Sequence, residues 1–305
     1  MTRPADVQPS TNGGGEGTFA LKQQVEAVWP SLSAAERKVG DALAHCAPEE
    51  LVFATALDIA DRAGTSDATV VRMVRRLGYS GLPDLKRAVG EALTHGSPPD
   101  QRLQQRISAV GADIGTTAAK IFGEAEERID QTREGTDVDA LGHAVRMLAQ
   151  APGVVAYGFG ASELAARHLA LKLNRLGQRS RFIGATGFAL ADDLLALGAG
   201  DVVVLYAPGR LLQEIDVIMA RARDTQSRTI LIAGRELVEY MGGRVDIALE
   251  APQSASGATC EALTALLLTD VLLLGVAAIN KDRALDTSDT LSRLREQLLG
   301  PDATR

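Results

Sequence analysis

From Gly153 onward the chain alternates short apolar runs with helix-length segments, and this alternation constrains the fold more than any other feature. The runs are Val154-Val155-Ala156-Tyr157, Arg181-Phe182-Ile183, Val202-Val203-Val204-Leu205, Thr229-Ile230-Leu231-Ile232 and Val245-Asp246-Ile247-Ala248-Leu249. Each is rich in β-branched side chains. Unbroken apolar runs suit strands buried on both faces, and the spacers are long enough for helical crossovers. The expected fold is therefore a doubly wound α/β domain around a five-stranded parallel sheet. A strongly apolar helix follows, from about Ala258 to Ile279. It is apolar over most of its circumference, so it needs cover, from the core or from a dimer interface.

The region before Gly153 reads as helices. Gly96-Ser97-Pro98-Pro99 is a breaker, because successive prolines cannot continue a helix. Beyond it, Leu103, Ile107, Val110 and Ile114 recur at helical spacing. The expected organisation is a disordered Pro/Gly/Ser/Thr-rich tail over 1–18, an all-α helix-turn-helix domain over 19–96 and linker helices over 97–134. The α/β domain covers 135–282, and a C-terminal helical tail with Leu291, Leu294 and Leu298 covers 283–305.

An apolar share of 46% in 305 residues is enough for two cores. The longest apolar stretch is interrupted by Thr269 and Asp270, and the tail has no apolar centre, so neither a membrane span nor a leader is expected. A soluble, cytoplasmic protein without membrane partners is the expectation. Cys46 and Cys260 are the only cysteines and fall in different expected domains, which argues against a disulfide framework. The histidines have no ligand spacing, so no metal is expected, and no cofactor either.

The segment from Leu57 to Gly78 carries the clearest chemistry. A first helix turns Leu57, Ala60 and Ala63 inward, and Gly64 can adopt the left-handed conformation that ends it. Ser66 is a good N-cap for the next helix, with Asp67 favourable near its positive end. At 100° per residue Val70, Val74 and Leu77 share one face of that helix, with Met73 at its edge. Ala68, Thr69, Arg72, Arg75 and Arg76 occupy the other. This is helix-turn-helix grammar, and it points to double-stranded DNA as partner. Ser66, Ala68 and Thr69 suit base edges, Arg72 can be bidentate to a guanine, and Arg75, Arg76 and Lys86 can hold phosphates. A net charge of −7 is no obstacle, because between Arg72 and Arg87 five basic residues face one acid, Asp84.

Several separated segments occur together here: Leu32 to Val39, Asp58-Ile59-Ala60, Gly64 to Arg72, and Leu77 to Lys86. In this order they resemble the N-terminal domain of the RpiR (MurR/RpiR) transcriptional regulators. The resemblance runs from about residue 19 to 95. It implies a transcriptional regulator that couples this domain to a sugar isomerase (SIS) domain, the kind of parallel sheet that the later residues ask for independently.

In the sheet domain the first strand runs into Gly158-Phe159-Gly160-Ala161-Ser162. Glycines let backbone approach a ligand, and the following helix offers free N–H groups to a phosphate. Dinucleotide binding is disfavoured: Glu163 stands where a third glycine is needed, and no acid closes the second strand. Gly158, Gly160, Ala161 and Ser162 instead resemble the first phosphate loop of SIS domains. The second such loop usually carries hydroxyls after the third strand. Here that position holds Tyr206-Ala207-Pro208-Gly209-Arg210-Leu211, where only Gly209 is retained, Arg210 can supply charge and Tyr206 a hydroxyl. Three readings stay open: a phosphorylated sugar held by arginine, another carbohydrate derivative, or a pocket that no longer binds.

An isomerase needs a poised base. The candidates, Glu261 and His168, stand in no recognisable constellation, so no catalytic residue is expected and a regulator is the preferred reading over a sugar-phosphate isomerase. A small helix-turn-helix gains by pairing on a palindrome, so a homodimer or homotetramer is expected.

Overall fold

The structure is a computed structural model and describes residues 16–94, 99–110, 113–207 and 212–299. It divides into two compact units, the first holding the chain up to Ala125 together with Ser254–Thr259, the second Glu126–Gln253 and Cys260 onward.

In the first unit α1 (Glu16–Val28), α2 (Ala34–His45), α3 (Pro48–Leu51), α4 (Ala56–Ala63), α5 (Asp67–Arg76) and α6 (Leu82–Thr94) are followed by α7 (Pro99–Val110) and the start of α8 (Ile114–Gly135). The local sequence sets these boundaries. Ser33 and Glu36 form a reciprocal capping box at the start of α2, and Thr55 with Asp58 forms another at α4. Gly64 has φ +57° and ends α4 in the left-handed conformation read from the sequence. Val39, Leu43, Ile59, Val70, Met73, Val74 and Leu85 make one core, each at most 2% exposed. The segment Ser254–Thr259 packs into this unit so closely that a side chain at Gly90 on α6 would collide with the Ala255 carbonyl.

The second unit is the expected doubly wound parallel sheet. Its strands are β1 (Val154–Gly158), β2 (Ser180–Ile183), β3 (Val202–Ala207), β4 (Arg228–Ala233) and β5 (Ile247–Glu250), in the order β2-β1-β3-β4-β5 and all parallel. Alternate side chains fill two cores. Val154, Ala156, Val202, Val204 and Tyr206 pack towards α9 (Val138–Gln150), α10 (Glu163–Arg175) and α14 (Leu263–Ile279). Val155, Tyr157, Val203 and Leu205 pack towards α11 (Gly187–Leu194), α12 (Gln213–Asp224) and α13 (Arg235–Met241). The polar α15 (Lys281–Leu299) follows α14.

Several boundaries differ from the sequence expectation: α1 already runs from Glu16, inside the expected tail, and the division between the units falls after Ala125 rather than after residue 134. The fifth strand starts at Ile247 rather than Val245, because the Asp246 carboxylate accepts from the Thr229 amide at 2.7 Å and its hydroxyl at 2.8 Å, in place of a ladder bond. The apolar helix starts at Leu263 rather than about Ala258. The chain before it is held open by Arg128 of α8, which is 2% exposed and donates to the carbonyls of Pro252 (3.0 Å), Cys260 (2.7 Å) and Glu261 (3.4 Å). Nor is that helix covered on all sides: Val271 is 49% and Leu274 73% exposed. Among the described residues no single helix is long and apolar enough to cross a membrane.

Candidate nucleic-acid interface and effector loops

Helix α5 presents Asp67, Ala68, Arg72, Arg75 and Arg76 outward, as the 100° rotation expects, and Ser66 is exposed just before it. Ser66 does not cap through its side chain; its hydroxyl lies 3.0 Å from that of Thr69. Thr69 falls on the inner side of the boundary between the faces. It is 4% exposed and accepts from Arg72 Nη2 at 3.1 Å. The base-edge contact expected of Thr69 therefore becomes a positioning contact that orients Arg72.

The basic residues also sort into different roles. Arg76 is tied to Glu36 at 3.1 Å and to the Ser31 carbonyl at 3.2 Å. Arg87 pairs with Asp84 at 2.8 Å. Lys86, expected on phosphates, is 2% exposed. It lies in the buried stripe of α6 with Leu82, Leu85 and Val89, at helical spacing, and its charge helps hold the Asp58 carboxyl low. That leaves Arg72 and Arg75 as the exposed cations of α5 that carry no ion pair among the described residues.

Carboxylates support this surface from below. Hydrogen bonds from the Ser33 amide and hydroxyl, then the charges of Arg76 and Arg72, hold Glu36 below its ordinary value of 4.5. Hydrogen bonds from Thr55 do the same for Asp58, ordinarily at 3.8. A lowered folded-state pKa stabilises the fold above the unfolded value and is lost as pH falls through the folded one. The first unit should therefore keep a constant melting temperature above about pH 5 and lose it progressively towards pH 3. Ser33→Ala should flatten that loss, as read by circular dichroism melts across the range; an unchanged slope contradicts the assignment.

In the second unit the strand order reverses direction at β1, and the crevice at the carboxyl ends of β1 and β3 is where open parallel sheets take ligands. Gly158 ends β1, and a Cβ there would sit 2.7 Å from the Ser162 carbonyl, so only glycine fits the tight turn. Gly160 has φ +60° in the short 3-10 turn Gly160–Ser162 that leads into α10. Ser162 is 9% exposed at the N-cap of α10, with no side-chain bond to that helix. Glu163 beside it is paired with Arg167 at 3.0 Å, and the Arg167 guanidinium lies 4.1 Å from the Phe182 ring centre.

Tyr206 does not join this loop. Strand alternation sends it inward with Val202 and Val204, and its hydroxyl lies 2.7 Å from that of Thr269 on α14. Burial pushes the phenol far above its ordinary value. The effector hydroxyl expected of Tyr206 is thus a structural one. Gly209 and Arg210 lie outside the described residues. On the opposite face Tyr157 is 2% exposed, its hydroxyl lacks a partner among the described residues, and burial pushes it up to about 12. His168 is bonded to Asp270 at 2.8 Å, and Glu261 is exposed elsewhere, so the two candidate bases are not brought together.

Sequence reasoning passed over one cluster. In the first unit the Glu124 carboxylate accepts from the hydroxyls of Ser254 (2.9 Å) and Ser256 (2.7 Å) and from the Ser256 amide (3.1 Å). Its only signal was the hydroxyl-rich run Ser254-Ala255-Ser256-Gly257-Ala258-Thr259.

A tight helix-turn-helix with a basic second helix, joined to a doubly wound sheet with a glycine turn at its switch point, defines a two-domain helix-turn-helix protein. Residues 20–96 match the helix-turn-helix domain of the rpiR family. Over 289 residues the chain is 26% identical to the HTH-type transcriptional regulator HexR of Escherichia coli, covering 91% of this chain and 94% of HexR. The sugar isomerase domain of an RpiR transcription factor from Sphaerobacter thermophilus superposes with a TM-score of 0.54 at 24% identity, over 58% of this chain and 98% of that one. NanR of Vibrio vulnificus, complexed with ManNAc-6P, superposes with a TM-score of 0.52 at 22% identity, over 91% of this chain and 99% of NanR. These likenesses establish the sugar isomerase fold for the second unit. Of the bifunctional protein glk of Paraburkholderia xenovorans the chain spans 44%.

Proposed function

We propose that this chain is a sequence-specific DNA-binding transcriptional regulator whose sheet domain senses a phosphorylated sugar or related carbohydrate derivative. The observation that carries the reading is the outer face of α5, where Arg72 and Arg75 stand exposed beside Ala68. In this reading Arg72, bonded to Thr69, reads a base and Arg75 holds a phosphate. The effector contacts are Gly158, Gly160, Ala161 and Ser162 at the start of α10, together with Gly209 and Arg210. NanR's complex with a sugar phosphate supports that ligand class on the same fold. The reading is of a regulator rather than an isomerase, because among the described residues the candidate bases His168 and Glu261 are not brought together. It acts in the cytoplasm as a homodimer or homotetramer.

The test starts with duplexes selected from a random library by the full chain. Arg72→Ala should cost roughly 1–3 kcal/mol on the selected site and relax one base position. Arg75→Ala should weaken all duplexes alike and lower the salt slope by about one. If Arg72→Ala leaves both the affinity and the selected sequence unchanged, the reading face is misassigned.

A further inference from the structure

The Glu124 carboxylate is 5% exposed, yet no cation is paired with it by an ion-pair distance among the described residues; it is held by three donors of one loop. The Ser256 hydroxyl accepts from the Ala258 amide at 3.0 Å, so its proton is directed at Glu124. Gly257, at φ +68°, turns the loop in a conformation that favours glycine. The Arg106 guanidinium packs against Gly257 so closely that any side chain there would collide with it. Arg106 Nε is buried and has no hydrogen-bond partner among the described residues. A buried guanidinium nitrogen left without an acceptor is costly.

Two hydroxyls and a main-chain N–H converge on the Glu124 carboxylate, and a guanidinium stands against Gly257 of the same loop; donors of these kinds recognise an oxyanion. A carboxylate has two oxygens, and both already accept from the serine loop. A phosphate group has a third terminal oxygen, and it carries close to two negative charges near neutral pH. It would satisfy the serine loop and give Arg106 its missing acceptor. We infer that Ser254, Ser256 and Arg106 form an anion cradle in the first unit, that Glu124 occupies it as an internal ligand, and that a phosphate or phosphate monoester takes its place. This site uses none of the residues of the Gly158–Ser162 loop and does not depend on that loop binding anything.

The experiment titrates inorganic phosphate, and in a parallel arm glucose 6-phosphate, into the full chain by calorimetry. Glu124→Ala should bind phosphate at least about tenfold more tightly than wild type, because the internal competitor is gone. Adding Ser254→Ala and Ser256→Ala should abolish the gain, and adding Ser162→Ala should leave it intact. A gain for both ligands, or for the monoester alone, supports the cradle. No gain, or a gain that survives loss of both serines, overturns it. A gain abolished by Ser162→Ala also overturns it, while leaving the effector reading of the Gly158 loop standing. Should Glu124→Ala fail to fold, hydrogen exchange on the wild type decides. Saturating phosphate should then speed exchange around Glu124 and slow it over 254–259, and absence of both changes rejects the inference.

Discussion

Arg128→Met should destabilise the second unit by about 3–5 kcal/mol, the largest single-residue effect expected in this chain. Methionine matches much of the buried length but offers no donor. The wild-type guanidinium gives hydrogen bonds to the Pro252, Cys260 and Glu261 carbonyls, and it does so from a position 2% exposed. Bonds from a charged donor are worth roughly 1.5–3 kcal/mol each, and buried carbonyls left without a donor lose that and their hydration as well. A natural control lies on the same helix. Arg133 pairs with Asp130 at 2.9 Å, but its side chain is 72% exposed, so Arg133→Ala should cost about 0–1 kcal/mol. Urea unfolding of both variants separates the cases; a cost under about 1 kcal/mol for Arg128→Met would mean that the loop finds other donors.

Leu274→Asp should turn an associated chain into a monomer with little change in its melting temperature. On α14, Leu267, Val271 and Leu274 follow one another at helical spacing and are 37, 49 and 73% exposed. Leu164 and Leu171 on the adjacent α10 are exposed by 54 and 51%. So much apolar surface on neighbouring helices suits a contact with another macromolecule, and under the proposed function a second copy is the occupant. A two-fold contact meets any substitution twice, so one aspartate per chain places two carboxylates in the seam. Sedimentation at about 10 µM reads the result, in the range where such contacts form. A wild-type chain that is already monomeric, or a variant that stays associated, removes α14 as the pairing surface.

The strands, their order of appearance and the helix-turn-helix were legible because each rests on local periodicity. Val202 to Leu205 can scarcely be anything but a central strand, and Gly64 followed by Ser66 announces its turn. Three side chains lie on the other side of their element from the one expected, for different reasons. Thr69 sits at the edge between the two faces of α5, and a rotation of a few degrees decides whether its hydroxyl meets DNA or Arg72. The charge of Lys86 points to phosphates, but its phase puts it in one stripe with Leu82 and Val89. The position of Tyr206 at a strand-to-loop junction suggests an effector contact, whereas alternation from Val202 and Val204 sends it inward. The cluster around Glu124 had no such local cue. Its partners lie about 130 residues further along the chain, and only the folded backbone brings them together.

Glu124 and Arg128 stand one helical turn apart on α8, and between them they grip the stretch from Pro252 to Glu261. Glu124 does so as a member of the first unit and Arg128 as a member of the second. The consequence is one of heredity. A single crossover after Ala125 would join a new sheet domain to a first unit missing Ser254–Thr259. Keeping those six recipient residues takes two further junctions, one on each side of them. Recombination can therefore exchange the sheet domain cleanly only with donors that already carry a loop suited to Glu124 and Gly90.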